Sequence, residues 1–311
     1  MRLLLLLFLL LCFIVAGCAP TIANLGEYHA VQLSQADFMP TAEQVKSGKV
    51  KVVVFPLTEN TDLAKRTNLG TVTAGAVESQ LADGAVELVD RNNAYKLRQE
   101  VQLAEINDHG TYNGPEVADF AISGSVDKAT LGNDRAAVSG KIKIIRLPSL
   151  KIVKTITFSD SVLGTSGNSS LVVTAATDAI HSARIELKNY FAKKGYVLEK
   201  RSKNDETIYK INLGTEDGLK TGDTCQIYTI SRTVNAITQE ETTEELLLGE
   251  GTVSNQIGPN YSWLIVEDAD MQSPVRLGDY IKLKHSKEML EGYSKGILEG
   301  LSLGSKLLLS Q

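Results

Sequence analysis

The residues with the clearest chemistry end a leucine run: Val15-Ala16-Gly17-Cys18. A thiol, once ionised, is the nucleophile a covalent modification needs. Small residues ahead of it leave the backbone open to a peptidase. Arg2 gives a short positive start, and Leu3 to Val15 is unbroken apolar sequence. That stretch is shorter than the roughly 20 residues of a membrane span. It fits the apolar region of a secretory signal, roughly 7–15 residues. The other thiols offer less. Cys12 lies inside the apolar run and Cys225 stands alone, so no internal disulfide can form once Cys18 is modified. One cysteine and four scattered histidines, His29, His109, His181 and His285, make no zinc site. There is no Gly-rich phosphate loop, no G-x-S-x-G and no H-E-x-x-H. The acidic residues form no recognisable pair. We therefore expect no catalytic residue, no metal, no cofactor and no enzymatic activity.

The segment ending at Cys18 resembles the lipobox of bacterial lipoproteins. The resemblance implies removal of residues 1–17 as a signal peptide, diacylation of the Cys18 thiol and acylation, palmitate-like, of the new N-terminus. Several acyl chains anchor stably where one binds reversibly. Ala19, in place of Asp, favours the outer membrane by resemblance to the enteric sorting pattern. A buried cysteine in a plain signal peptide or a short anchor helix is the alternative.

The elements that follow must position whatever this anchor holds. The chain has 311 residues, with 32 basic and 37 acidic side chains. At about 150 residues per domain, two domains are expected. Loss of Arg2 with the signal makes the mature chain more acidic still, which suits a periplasmic body and excludes the basic face a nucleic acid needs. Residues 18–48 have no sustained periodicity and read as a lipidated tether. Residues 51–57, Lys-Val-Val-Val-Phe-Pro-Leu, read as a strand buried on both faces, ended by Pro56. A helix follows over about 62–81, with Leu69, Val72 and Ala76 on one stripe and Val77 and Leu81 beside it. Then come a strand at 84–90, a helix from about 91 with Leu97, Val101 and Ala104 on one face, and a strand at 118–126. Residues 141–147 and 150–158 make a hairpin around Pro148-Ser149, with Leu150, Ile152, Ile156 and Phe158 on one face. A long helix over about 170–194 ends in Lys193, Lys194 and Gly195, a basic last turn and a glycine stop. Residues 49–195 thus predict an α/β sandwich with one mixed sheet.

Residues 196–206 read as a charged linker. From 207 to 285 the pattern is all-β, with recurring turns, and predicts a small closed barrel. Leu219-Lys220-Thr221-Gly222-Asp223 and Val275-Arg276-Leu277-Gly278-Asp279 look alike, each placing a turn glycine just before a strand. Residues 233–245 form an acidic, solvated loop. The tail 286–311 is amphipathic, with Gly292, Gly296, Gly300 and Gly304 on one stripe. Such a row permits close helix approach; a frayed end fits equally.

The most specific stretch is Val86 to Ile106, where a strand delivers Asp90 and Arg91 and a helix begins near Asn92, a candidate cap. Arg91 and Glu100 can meet at the strand–helix corner. With Phe55-Pro56-Leu57 before it and Ala118-Asp119-Phe120 and Gly124 after it, this order resembles the CsgG-like family. The resemblance covers about residues 49–195 and implies a fold like the N-terminal domain of TolB. Its best known member is the outer-membrane lipoprotein that exports curli subunits. Residues 208–228 and 275–284 resemble the C-terminal domain of FlgT, a flagellar basal-body ring protein. FlgT also carries a TolB-like domain but is not usually a lipoprotein.

In the curli exporter, long hairpins build a pore, and each membrane strand takes about 9–11 residues. Here the two insertion points, 124–141 and 159–170, are short and polar, so no pore is expected. The function expected is a non-enzymatic scaffold, lipid-anchored at the periplasmic face of the outer membrane. It would serve a secretion, surface-fibre or flagellar-ring type machine, with envelope proteins and other copies of itself as partners. The alternatives are a lipoprotein that activates a peptidoglycan synthase and a subunit of a curli-type export pore.

Overall fold

The computed structural model describes residues 21–46, 49–82, 86–107, 111–112, 114, 118–164, 169–234, 236–237, 239, 241–267 and 271–286. Cys18, the signal region, His109 and the glycine-striped tail lie outside the described residues. The described residues divide into two compact units: 21–46 with 194–284, and 49–193 with 285–286.

Residues 21–46 carry β1 (His29–Val31) and a short helix, α1 (Ala42–Lys46). The α/β unit begins with β2 (Val50–Val54), and its β-branched run is buried on both faces: Val52 and Val54 enter one core, Val53 and the following Phe55 the other. It continues through β3 (Thr58–Glu59), α2 (Asp62–Arg66), α3 (Leu69–Leu81), β4 (Val86–Val89), α4 (Tyr95–Asn107), β5 (Phe120–Leu131), β6 (Arg135–Arg146), β7 (Lys151–Leu163), α5 (Ser169–Ser182) and α6 (Arg184–Tyr190). The sheet order is β4-β2-β5-β6-β7, with β3 beside β5. The strands β2, β4 and β5 are parallel, and β5, β6 and β7 make an antiparallel meander. One face packs Ile122, Ile142, Ile156 and Phe158 against α3, α5 and α6. The other packs Val53, Ala121 and Ile145 against Leu97 and Val101 of α4. The expected mixed-sheet α/β unit is present.

Its details differ from the sequence reading in three places. The helix expected over 62–81 breaks at Thr67-Asn68, where Asn68 takes the left-handed conformation (φ 52°), which Asn tolerates better than most residues. Its buried stripe is Leu69, Thr73, Val77 and Leu81, while Val72 and Ala76 are only half-buried. The helix expected over 170–194 is two helices, and Lys194 and Gly195 start a strand instead of ending a helix. Glycine is required there because a Cβ would stand 2.4 Å from Leu213 Cγ. In the hairpin, the β6–β7 register slips between Ile144 and Ile145. A slip of one residue moves side chains to the opposite face. Leu150 therefore joins the α4 core, Ile156 and Phe158 join the other, and Ile152 is exposed.

The second unit holds β8 (Lys194–Lys203), β9 (Glu206–Ile211), β10 (Thr224–Val234), β11 (Glu241–Ile257), β12 (Ser262–Val266) and β13 (Tyr280–Leu283). Pairing runs β8-β13-β10-β11-β12-β9 and returns to β8, closing a six-stranded barrel. Closure removes the open edges a small sheet would otherwise expose. The sixth strand comes from the stretch expected to be a linker, since 196–206 is most of β8 and the turn into β9. Its charges are compatible with a strand because their cationic heads sit over aromatic faces: Lys200 Nζ lies over Tyr209 at 5.4 Å and Arg201 Cζ over Trp263 at 5.0 Å. The acidic stretch 233–245 belongs largely to the β10–β11 hairpin, whose ladder extends to the Val234–Glu241 pair.

Candidate functional site

The lipid attachment expected at Cys18 lies outside the described residues, but residues 21–46 of the expected tether are described, and they pack onto the barrel. Ile22 is fully buried in a cluster with Tyr28, Ile208 and Trp263. Its N–H donates to Asn255 Oδ1 at 2.8 Å, and Gln256 Nε2 donates to its carbonyl at 3.2 Å. The strand β1 pairs with β8, matching His29 to Ser202 and Val31 to Lys200. Further on, Ala36 N–H donates to the Leu277 carbonyl and Leu277 N–H to the Ser34 carbonyl, both at 2.9 Å. Arg276 Nη1 pairs with Asp37 at 3.2 Å. The barrel's outer surface between β9 and β12 carries Ile208, Trp263 and Ile265, which water would otherwise meet, and residues 22–28 seal it. Sequence reasoning missed this docking. The only signal was Ile22, Leu25 and Tyr28 recurring every third residue, too short to count as a periodicity.

The two look-alike turns are equivalent in space. Gly222 has φ 91° and Gly278 φ 88°, a region that favours glycine. Asp223 Oδ2 accepts from Lys220 N–H at 2.8 Å, and Asp279 Oδ2 accepts from Arg276 N–H at 2.7 Å. Gly222 N–H donates to the Val253 carbonyl and Val253 N–H to the Asp223 carbonyl. In the same way Gly278 N–H donates to the Val197 carbonyl and Val197 N–H to the Asp279 carbonyl. The barrel is thus two interlocked halves, β8-β9-β10 and β11-β12-β13, each turn pinned to a strand of the other half. The halves differ at the second turn. Thr229 Oγ1 donates to Asp279 Oδ1 at 2.7 Å, and Arg276 Nη2 donates to that hydroxyl at 2.7 Å. Burial holds the carboxyls of both Asp223 and Asp279 above the ordinary carboxylate range.

The strand–helix corner at Asp90 and Arg91 is arranged differently from the expectation. Arg91 Nη2 pairs with Glu78 of α3 at 3.0 Å, and Glu100 is exposed on α4. A 3-10 turn over Arg91–Ala94 separates the strand from α4, so Arg91 stands outside the helix that carries Glu100. The side chain of Asn92, the candidate cap, lies outside the described residues. Pro56 follows the end of β2, half-buried. Gly124 lies within β5 at φ 156°, where a Cβ would stand 2.1 Å from the Lys141 carbonyl.

Outside the barrel, Lys194 Nζ pairs with Glu245 at 2.9 Å and lies 4.3 Å over the Tyr280 ring. Tyr280 stacks on Tyr228 at 5.2 Å. Burial pushes Lys282 below and Tyr280 well above their ordinary values. Burial also pushes Glu245 up, but Lys194, with Tyr280 and Lys282, more than offsets it and leaves the carboxyl below its usual range. Lys194 and Lys282 both reach Glu245, at 2.9 and 3.9 Å, and the arrangement ties β8, β10, β11 and β13 together. Cys225 is fully buried and its thiol is pushed up to about 12 by burial, so it is no nucleophile near neutral pH. Among the described residues no group of three or more His, Cys, Asp or Glu side chains is placed to hold a metal ion. No described helix is long and apolar enough to cross a membrane.

No family model matches the chain, and no curated protein matches it in sequence. Solved structures resemble about half of it. The PelC dodecamer from Paraburkholderia phytofirmans is 16% identical over 50% of this chain and 94% of its own, with a TM-score of 0.30. The hypothetical protein CT253 from Chlamydia trachomatis is 11% identical over 46% of this chain and 98% of its own, at 0.32. The lipoprotein GNA1162 from Neisseria meningitidis is 12% identical over 43% of this chain and 96% of its own, at 0.29. These similarities are weak, and at such scores none of them carries a function to this chain.

Proposed function

We propose that this protein is a non-enzymatic envelope lipoprotein, fixed to the periplasmic face of the outer membrane through acylated Cys18 and acting as an assembly scaffold. The observation that carries the reading is a lipobox-like segment whose next described residues are built into a closed barrel, followed by a second, separately cored unit on the same chain. Such a body holds partners at a surface and raises their local concentration. The machine it serves is of the secretion, surface-fibre or flagellar-ring kind, as the CsgG-like and FlgT-like motifs imply. Self-association through the α/β unit is part of the reading. Its support is the 13-residue strand β7 at the end of the sheet order, since an edge strand presents unpaired backbone groups to another chain.

Against a pore, residues 124–141 continue β5 and β6 and bury Ala129, Ala136 and Val138 in the unit's own core. Cross-linking in intact cells followed by purification from membranes tests the proposal. Recovery of other copies of the chain together with export or motor components is the expected result. A peptidoglycan synthase as the main partner would replace the scaffold with a regulator. Discrete conductance steps in planar bilayers would replace it with a pore.

A further inference from the structure

We infer that the end of the barrel formed by the Gly258–Tyr261 turn rests directly on the lipid bilayer, held there by an anchor too short to let it stand off. The inference rests on the anchoring of Cys18 proposed above. Four residues of chain lead from Cys18 to Ile22, a reach of at most about 14 Å when fully extended. Ile22 is fixed, being fully buried and bonded on both sides of its peptide to Asn255 and Gln256. The docked segment also has a direction. Tyr28 lies near Lys203, at the β8–β9 turn, whereas Ile22 lies beside Asn255 and Gln256, just before the β11–β12 turn. Followed back toward Cys18, the chain therefore runs toward Gly258–Tyr261. The strand β9, six residues long, spans about 20 Å, more than the anchor can reach. The membrane must come to this end of the barrel.

The end is built to meet it. Tyr261 is 39% exposed, with Lys210 Nζ 5.2 Å over its ring. An aromatic ring with a polar tip, beside a lysine that can extend its charge to water, is the chemistry of a membrane–water boundary. The turn is rigid: Gly258 N–H donates to the Tyr261 carbonyl, and Thr215 and Glu216 N–H donate to the Gly258 and Pro259 carbonyls, each at 2.9 Å. In number, Lys210 and Lys220 are matched by Glu216 and Asp217 of the same stretch, 210–220. The surface therefore fits the zwitterionic headgroup region and needs no anionic lipid.

The test uses the full-length lipidated protein in phosphatidylcholine vesicles. Asn260→Cys and Asp205→Cys, at opposite ends of the barrel, are each labelled with an environment-sensitive fluorophore. Cys225 is buried, so the label goes to the introduced thiol. With nitroxide-headgroup lipid, quenching at 260 is expected to exceed that at 205 several-fold. Fifteen Gly/Ser residues inserted between Pro20 and Thr21 should bring the two sites to the same low level without releasing protein from the vesicles. Equal quenching at both sites in protein that still floats with vesicles overturns the inference and leaves the anchor intact. So does quenching at 260 that survives the insertion. A Cys18→Ser protein that still floats overturns the anchor reading, and this inference with it.

Discussion

The backbone N–H of Ile22 donates to the side chain of Asn255 at 2.8 Å, joining positions 233 residues apart. Residues 22–28 are thus packed onto the barrel, and the barrel's stability depends on them. Ile22→Ala removes a fully buried branched side chain from the cluster around Trp263. Such truncations cost about 2–5 kcal/mol. Urea denaturation should show that loss, and protease should cut within 22–28 well before it does in the unaltered protein. Unchanged stability and cleavage would mean the segment contributes no packing.

Two glycines predict opposite outcomes. Gly124→Ala should destabilise the α/β unit by at least about 1–3 kcal/mol from backbone strain alone, with a further cost from the 2.1 Å approach of its Cβ to Lys141 O. Gly75 lies inside α3, and a Cβ there meets nothing within 4 Å. Gly75→Ala should therefore stabilise by up to about 1 kcal/mol, the helix-propensity difference. Denaturant midpoints of the two variants should move in opposite directions.

The Arg91–Glu78 pair is partly exposed, at 29% and 28% of the side-chain surfaces. A double-mutant cycle with Arg91→Ala and Glu78→Ala should give a coupling of about 0.5–1 kcal/mol, weaker in high salt. A cycle of Arg91→Ala with Glu100→Ala should give none. Coupling to Glu100 instead would restore the corner contact read from the sequence.

His285 sets a pH dependence. Burial, with Lys188 nearby, lowers its pKa from 6.5 to about 4. Its backbone is held to α6, with its N–H donating to Asn189 Oδ1 at 2.7 Å and its carbonyl accepting from Asn189 Nδ2 at 3.1 Å. Because the folded value is depressed, the unfolded chain takes up the proton first. The contribution is full above pH 6.5 and is lost as pH falls from 6.5 toward 4. That loss is on the order of 2 kcal/mol. Comparing His285→Gln with the unaltered protein over this window should show a shallower decline in the variant. Parallel curves would remove His285 as the cause.

The α/β unit was legible because its strands and helices carry strong local patterns. Val52 to Phe55 alternate between two cores, and Leu97 and Val101 recur at helical spacing. The barrel was legible from its turns, since Gly222-Asp223 and Gly278-Asp279 repeat one backbone device. What failed locally was decided by distant partners. Lys194 to Lys203 read as a helix end and a linker because their charge hides a strand that distant partners make stable: β1, β9, β13 and the aromatic rings beneath. Ile22 to Tyr28 carry too few apolar residues to show a period, and they fold because Ile208 and Trp263 supply the other side of the core. Arg91 pairs with Glu78 of α3 and not with Glu100, a choice between two helices that residue types and spacing along the chain do not settle.

The account turns on lipid at Cys18, and mass spectrometry of the intact mature N-terminus measures it directly. The predicted result is a chain that begins at residue 18, with residues 1–17 gone, a diacylglyceryl group on the thiol and a further acyl chain on the amine. A chain carrying a free Cys18 thiol, or one still beginning at Met1, would contradict the account at its base.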